Sequence, residues 1–417
     1  MDLPKGWVSV SLDSLLNYEQ PQKYIVASTE YCESYPTPVL TAGKTFIIGH
    51  TNESDGIFND HLPVIIFDDF TTATQFVTFP FKVKSSAMKI LHVVSPELNI
   101  KFLFYRMQLI RHNATTHKRY WISDYSKNIV ELPPLPEQQR IVAKIDALFS
   151  ELDKGVETLR TVQQQLRMYR QAVLRWAFDK CYSDTTERPL KTLCSHIVDC
   201  PHSTPKWTAS GKLCLRTTNF RKGYLNLDEK NYVSVDTYNE RIRRLKPEKD
   251  DILYSREGAI LGIACIVPEN VELCLGQRMM LMRTDAQLLP RFLMHYLNSP
   301  QIEIVVKKMT GGTASPHVNV GDVKMFEIPM PSLVEQSTIV AAIESRLSVC
   351  DKLEAIVNES LAKAEALRQS ILKKAFAGQL VPQDPNDEPA DVLLERIKAT
   401  RAAETTKPKK AGRKKHG

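Results

Sequence analysis

The apolar positions of this chain follow two rhythms. From about residue 135 they recur in a heptad, at Ile145, Leu148, Leu152, Leu159, Val162, Leu166, Tyr169, Val173 and Trp176, with Gly155 as the one interruption. That spacing places them on one stripe of a long helix. A second stripe of smaller residues runs through Ile343, Cys350, Leu353, Val357, Ala364, Leu367 and Ile371. A stripe of large side chains facing one of small side chains packs closely, so the two helices are expected to pair with each other. Pro136 suits a first helical turn, Ser332 and Glu335 have capping-box spacing, and Gly378 suits a left-handed stop. Elsewhere the apolar runs are short and strand-like: Phe46-Ile47-Ile48, Val64 to Phe67 and Gln75 to Phe79 in one segment, Ile252 to Tyr254, Ile263 to Val267 and Met279 to Met282 in another. The expected fold class is α+β. It has a mixed globule over 1–134, a helix over 135–181, a second mixed globule over 182–332, a helix over 333–378 and a C-terminal segment over 379–417. That last segment turns polar after Val381-Pro382 and is expected to be mobile from about Lys407.

The two helices are copies. Leu135-Pro136-Glu137-Gln138 through Ile145 matches Leu333-Val334-Glu335-Gln336 through Ile343 at a constant offset of 198 residues (Glu137 to Glu335). At the same offset Asp124 falls on Asp322, Asp153-Lys154 on Asp351-Lys352, Arg170-Gln171 on Arg368-Gln369, and Ala177-Phe178 on Ala375-Phe376. Two unrelated core helices would not share one offset without a gap, so the chain is an internal duplication.

Composition is that of a globular protein, 43% hydrophobic and 25% charged. No signal-like leader or membrane-length apolar run occurs, so an intracellular, cytoplasmic location is expected. Eight cysteines without a CxxC pair fit reduced thiols, and the spacing of Cys194, His196, Cys200 and His202 is poor for zinc, so no metal is expected. The net charge of +7 is concentrated beyond residue 400, where seven Lys/Arg face Glu404 alone. Local distribution therefore matters more than the sum. Residues 98–123 hold Lys101, Arg106, Arg111, Lys118 and Arg119 without an acid; residues 200–227 hold Lys206, Lys212, Arg216, Arg221 and Lys222 without one; residues 304–321 add Lys307 and Lys308 beside a Gly-rich polar run. Interleaved with Tyr120, Trp121, Trp207 and Asn219, these stretches point to nucleic acid. Catalytic signatures are missing: there is no phosphate-binding G-x-x-x-x-G-K-[ST] loop, no [DN]-P-P-[FYW] tetrapeptide, no G-x-S-x-G elbow and no H-E-x-x-H helix. Asp68-Asp69 ends an apolar run and is read as a strand-terminating turn rather than a Mg²⁺ site.

The repeated leader Pro133 to Val142 and Pro331 to Val340 resembles that of the specificity subunits of Type I restriction-modification systems. So do Leu215-Arg216-Thr217-Thr218-Asn219-Phe220, Ser255-Arg256-Glu257-Gly258, Leu275-Gly276-Gln277-Arg278 and Gly312 to Asn319. The likeness spans roughly residues 1–395. The first globule resembles a different subfamily of recognition domain, through Tyr18-Glu19-Gln20-Pro21, Pro38 to Lys44 and Lys84 to Met88. The resemblance implies two target recognition domains separated by an antiparallel coiled coil, each reading one half of a bipartite site on double-stranded DNA, with different half-sites. It further implies a chain without catalysis or bound cofactor of its own. Two methylation subunits using S-adenosylmethionine and two motor-nuclease subunits using ATP and Mg²⁺ would act beside it. The helices, around Ile145, Leu152, Leu159, Leu166, Ile343, Val357 and Ile371, are the implied docking surface for the methylation subunits. Because Arg pairs with guanine and Asn or Gln with adenine, Arg119, Arg216, Asn219, Arg256 and Gln277 are the candidates for base readout. Lys44, Lys82, Lys84, Ser85, Lys118, Lys206, Thr217, Thr218, Thr313 and Ser315 are the candidates for phosphate. The alternative is a stand-alone DNA-binding scaffold or repressor, which would show the same basic patches.

Overall fold

The two apolar stripes fold as helices spanning Leu135–Asp179 and Leu333–Phe376 in the computed structural model, which describes residues 3–43, 45–111, 119–179, 185–258, 260–310 and 316–405. Ser332 starts the second helix with both halves of a capping box. Its N–H donates to Glu335 Oε2 at 2.8 Å, and its Oγ accepts from Glu335 N at 3.4 Å. Gly378 ends that helix at φ +68°, and a Cβ there would lie 2.6 Å from Pro4 Cγ, so the stop is also a close backbone approach.

Contacts divide the chain into two units, Met1–Thr158 with Ser360–Gly417, and Leu159–Glu359. Each unit holds one globule and half of each long helix, so the division falls inside the helices rather than at their ends.

In the first unit, Val8–Ser11 pairs with Ile129–Leu132 immediately before the long helix. A four-stranded antiparallel sheet follows the order Leu16–Glu19, Met88–Val93, Val64–Asp68, Thr74–Val77, and a three-stranded sheet joins Ile47–Thr51, Thr37–Leu40 and Lys82–Val83. The core beneath the larger sheet takes Phe67, Phe102 and Trp121 from the globule, Ile145 and Phe149 from the first long helix, and Ile371 and Phe376 from the second. The segment after Val381 departs from the expected polar tail. It forms a helix, Ala390–Thr405, whose Ala390, Leu393 and Ile397 enter the same core, while Ala390 N donates to Gly6 O at 2.9 Å. Those three residues lie one or two helical turns apart, enough to make an apolar edge on an otherwise polar segment. Residues from 406 onward, including Lys407, lie outside the described residues.

The second unit repeats the plan. Glu187–Pro189 pairs with Glu327–Pro329, and the sheet order Cys194–Asp199, Met279–Thr284, Ile252–Ser255, Ala264–Ile266 mirrors that of the first unit. A smaller sheet joins Trp207–Thr208, Tyr232–Val233, Lys212–Leu215 and Leu273–Leu275. The core takes Val173 and Phe178 from the first long helix and Val340 and Ile343 from the second.

The long helices run antiparallel against each other. In the first unit Arg368 of the second helix bonds Asp153 of the first; in the second unit Arg170 bonds Asp351 at 2.6 Å, and Gln163 donates to Asn358 at 2.7 Å. As the position on one helix rises, its partner on the other falls. The heptad assignment needs correction at Tyr169, Trp176, Leu353 and Leu367, which stand 40–50% exposed. A helix of 3.6 residues per turn drifts about 20° per heptad from a 3.5-residue stripe, so the seam leaves these positions over such length. A second correction follows. Ile145, Leu166, Ile343, Val357 and Ile371 are buried within this chain alone, while Leu152 and Leu159 are half-buried. Their apolar surface is already taken by the opposite helix and the globules. A partner docking on the helices meets other side chains.

The Gln of the repeated leader explains itself. Gln138 accepts from Asn99 N at 3.1 Å and donates to Pro133 O at 2.9 Å; Gln336 accepts from Leu289 N at 2.8 Å and donates to Gln287 O and Pro331 O at 3.0 Å. Both are fully buried. Each ties its helix start to the globule through backbone groups that have no ladder partner, which is why a buried amide side chain is used there.

Candidate nucleic-acid interface

In the first unit Asp68 and Asp69 diverge at the strand end. Asp68 Oδ1 accepts from Phe70 N at 2.9 Å and Thr71 N at 2.8 Å, closing a turn. Asp69 turns inward, 3.3 Å from Lys89 Nζ with both side chains 1% exposed. Lys89 also donates to Gln20 Oε1 at 2.9 Å and lies 5.4 Å from the Tyr18 ring centroid. Asp69 in turn holds the chain just after Arg119: Tyr120 N donates to Asp69 O at 2.9 Å and Trp121 N to Asp69 Oδ1 at 2.8 Å. Arg119 itself is exposed. Lys84 is exposed with its ammonium 5.9 Å from the Tyr31 ring centroid, and the Ser85 hydroxyl accepts from Ala87 N at 3.4 Å. Lys82 is removed from the phosphate candidates: it is 3% exposed, 2.9 Å from Glu53 Oε2, and donates to Asp55 O at 2.6 Å. Its charge is met inside the fold. Lys44 and Lys118 lie outside the described residues.

In the second unit the separate motifs converge. The Arg256 guanidinium is 5% exposed and makes a two-pronged bond to Asp199, Nε to Oδ1 at 2.9 Å and Nη2 to Oδ2 at 3.0 Å, with Glu257 Oε1 2.7 Å from Nη1. Its backbone receives Val318 N at 2.9 Å, and Arg256 N donates to Arg278 O at 3.0 Å. The Ser-Arg-Glu-Gly, Leu-Gly-Gln-Arg and Pro-His-Val segments thus meet around one buried ion pair. Arg241, 7% exposed, fastens the next layer by donating to Leu275 O at 3.0 Å, to Gly276 O at 2.9 Å and to Ser203 O.

Two of the base-reading candidates are therefore structural. Arg256 is spent on Asp199 and Glu257. Asn219, 4% exposed, accepts from Arg216 N at 2.9 Å and donates to Asn226 O and Glu229 O at 3.0 Å, leaving no donor for the two-pronged contact an adenine edge requires. Gln277, half-buried, donates to His202 O and receives Thr204 Oγ1 at 3.4 Å. Arg216 is different. It is exposed, and its guanidinium carbon stands 4.5 Å from the Trp207 ring centroid, a stack that pre-orients the fork without using its donors. Lys206 and Thr218 are exposed beside it and Thr217 is half-buried. Thr313 and Ser315 lie outside the described residues.

Arg278 was overlooked by reasoning from residue types. It adopts φ +66° and its side chain is 60% exposed, with Glu257 the near acid at 3.8 Å. A left-handed backbone at a long side chain is strained and marks a position whose direction matters. The available signal was its place at the end of the Leu275 to Arg278 motif, two residues after Gly276. The cysteines and histidines of 194–202 do not gather: Cys200 Sγ accepts from Met279 N at 3.4 Å and His202 lies 3.2 Å from Asp199, and no metal-competent group of three His, Cys, Asp or Glu occurs among the described residues.

Two globules of like plan, each with an internally neutralised ion pair and exposed basic side chains, fit a two-domain DNA-specificity protein. A family model described as the Type I restriction modification DNA specificity domain matches residues 4–159 and 216–363, and the chain belongs to that family. The specificity subunit of the Type I restriction enzyme EcoR124I/EcoR124II of Escherichia coli is 29% identical over 383 residues, covering 86% of this chain and 90% of its own length. The EcoBI specificity subunit of Escherichia coli is 28% identical over 470 residues, covering 100% and 96%. A chain solved in work on complex assembly and conformational transition of the type I R-M system shares the fold, with a TM-score of 0.66 at 20% identity over 91% of this chain and 100% of that one. Among the described residues no helix is long and apolar enough to cross a membrane.

Proposed function

We propose that this specificity subunit reads a bipartite site on double-stranded DNA, one half with each unit, and that the two halves differ. The observation that carries the proposal is the shared frame with unlike reading surfaces. Arg119, Lys84 and Ser85 project from the first unit; Arg216, Lys206, Thr218 and Arg278 project from the second. Arginine forks at guanine give base discrimination, while lysines and hydroxyls at phosphates set register. The chain acts without catalysis or cofactor of its own. It positions two methylation subunits, which use S-adenosylmethionine to methylate an adenine in each half-site, and two motor-nuclease subunits that use ATP and Mg²⁺. The long helices offer the docking surface for the methylation subunits, through side chains other than the buried seam.

Mapping methylated adenines in DNA from cells that express the chain with its methylation subunit tests this directly. The expected map is one two-part motif with unlike halves and a fixed gap. A single continuous motif, or DNA binding with no methylation, would favour a stand-alone DNA-binding protein instead.

A further inference from the structure

Two exposed arginines of the second unit leave the same end of one strand pair. Lys212–Leu215 and Leu273–Leu275 run parallel, with Leu215 in register with Leu275. Arg216 is the next residue along one strand, and Arg278 comes three residues beyond the end of the other. Parallel neighbours lie about 4.8 Å apart and a residue advances the chain by at most about 3.3–3.6 Å, so the two arginines are rooted within about 10 Å of each other. Base pairs follow one another every 3.4 Å or so, which puts two forks from such roots on base pairs about three steps apart or fewer.

The roots are fixed relative to each other. Gly276 N donates to Leu215 O at 3.0 Å, and a Cβ on Gly276 would strike that oxygen, so only a bare backbone fits between the two segments. The buried Arg241 guanidinium ties Leu275 O and Gly276 O to Ser203 O, while Gln277 donates to His202 O. These bonds set the loop before Trp207 beside the strand ends, and Trp207 is the face on which Arg216 stacks. Arg278 is aimed by its own backbone at φ +66°, over Gly258, where a Cβ would lie 3.6 Å from Nη1. Neither fork is consumed. Arg216 meets no acid among the described residues, and Glu257, 3.8 Å from Arg278 Nε, is closer to Arg256 Nη1 at 2.7 Å. A contact that long and that exposed holds an arginine weakly.

A phosphate contact needs positive charge within reach and no particular aim, and the exposed Lys206 and Thr218 beside Arg216 already supply that kind of group. A guanine edge offers O6 and N7 to two parallel donors and rewards a fork held at one angle. We propose that Arg216 and Arg278 form one reading head, and that the half-site of the second unit carries two guanines, on either strand, within about three base pairs of each other, one under each fork. The inference rests on the function proposed above and names bases for one of its halves.

The test compares methylated-adenine maps and duplex binding for the wild-type chain assembled with its methylation subunit and for Arg216→Ala, Arg278→Gly and Arg278→Lys in the same assembly. Exchange of residues 185–330 first shows which half belongs to the second unit, and that half should contain the two guanines. Arg216→Ala should relax one of them and Arg278→Gly the other, each by about 5- to 150-fold in preference for its own guanine. Glycine relieves the left-handed backbone, so circular dichroism melts should not fall with Arg278→Gly. Arg278→Lys keeps the charge without the two prongs and should leave the same guanine relaxed. Rescue by lysine with binding weakened equally on all sequences, relaxation of one and the same base by both variants, or a half-site with fewer than two guanines in that span overturns the reading head and leaves the two-part site standing. A map without any two-part motif overturns the proposed function as well.

Discussion

Replacing Arg256 and Arg216 by alanine should separate two kinds of arginine that look alike in sequence. Arg256 is 5% exposed and bonded to both Asp199 oxygens and to Glu257, so Arg256→Ala strips the mostly buried Asp199 carboxylate of its two-pronged partner and Glu257 of its nearest cation. Breaking a buried ion pair from one side costs about 3–5 kcal/mol. At about 2–4 °C per kcal/mol for a domain of this size, the unfolding midpoint of the second unit should fall by about 6–20 °C. Arg216→Ala loses an exposed stack on Trp207, worth about 0.5–1 kcal/mol, so its midpoint should barely move. Its effect belongs on DNA, where a lost two-pronged base contact costs about 1–3 kcal/mol, or about 5- to 150-fold in affinity. Circular dichroism melts, with titration of duplexes carrying the mapped site and its single-base variants, give both numbers. An Arg256→Ala protein that melted normally but changed its preferred base would refute the assignment of Arg256 to the frame.

Other outcomes follow from the same geometry. Lys206→Ala should lower the slope of log affinity against log salt by about one unit without altering base preference, read by binding at several salt concentrations. Gln336→Ala orphans three backbone groups at a fully buried position and should cost about 2–4 kcal/mol in urea unfolding, with Gln138→Ala acting likewise in the first unit. Hydrogen bonding from His295 and the Arg291 guanidinium hold the Glu344 carboxyl down to about 2, so its stabilising contribution is complete above the ordinary value of 4.5 and is lost as pH falls through about 2. Glu344→Gln should flatten the pH dependence of the melt in that window. Exchanging residues 185–330 for another recognition domain should change one half of the methylated motif; a change in both halves would sink independent reading.

The long helices were legible because heptad spacing, capping residues and a fixed repeat offset all report the same local geometry. The C-terminal helix was not, since Ala390, Leu393 and Ile397 form a thin apolar edge that a polar composition obscures. Drift of the seam hid which stripe residues stay exposed, as at Tyr169 and Leu367. For the interface, residue type indicated the chemistry but not whether that chemistry was already used. Arg256 meets Asp199 from a distant strand, and Lys82 meets Glu53 across the first globule. Neither pairing leaves a trace in spacing. Arg278 was missed for the opposite reason, because its distinction lies in a backbone angle rather than a side-chain pattern.

The buried pairs Lys89–Asp69 and Arg256–Asp199 also bear on how recognition is built. Desolvation makes such pairs poor sources of net stability, and apolar replacements of similar shape often serve as well or better. Directionality is what they add. Asp69 grips the backbone amide of Trp121, two residues beyond Arg119, and Arg256 receives and donates backbone bonds that place Arg278 and Val318. Each pair thus orients a segment whose exposed arginine remains free of buried partners. On the proposed reading, a substitution at Arg119, Arg216 or Arg278 changes what is presented to DNA while the supporting bonds persist, whereas a substitution within either pair removes the bonds that hold the Trp121 or Arg278 segment. Altered specificity in this fold should therefore arise by exchange of exposed side chains over an intact ionic base.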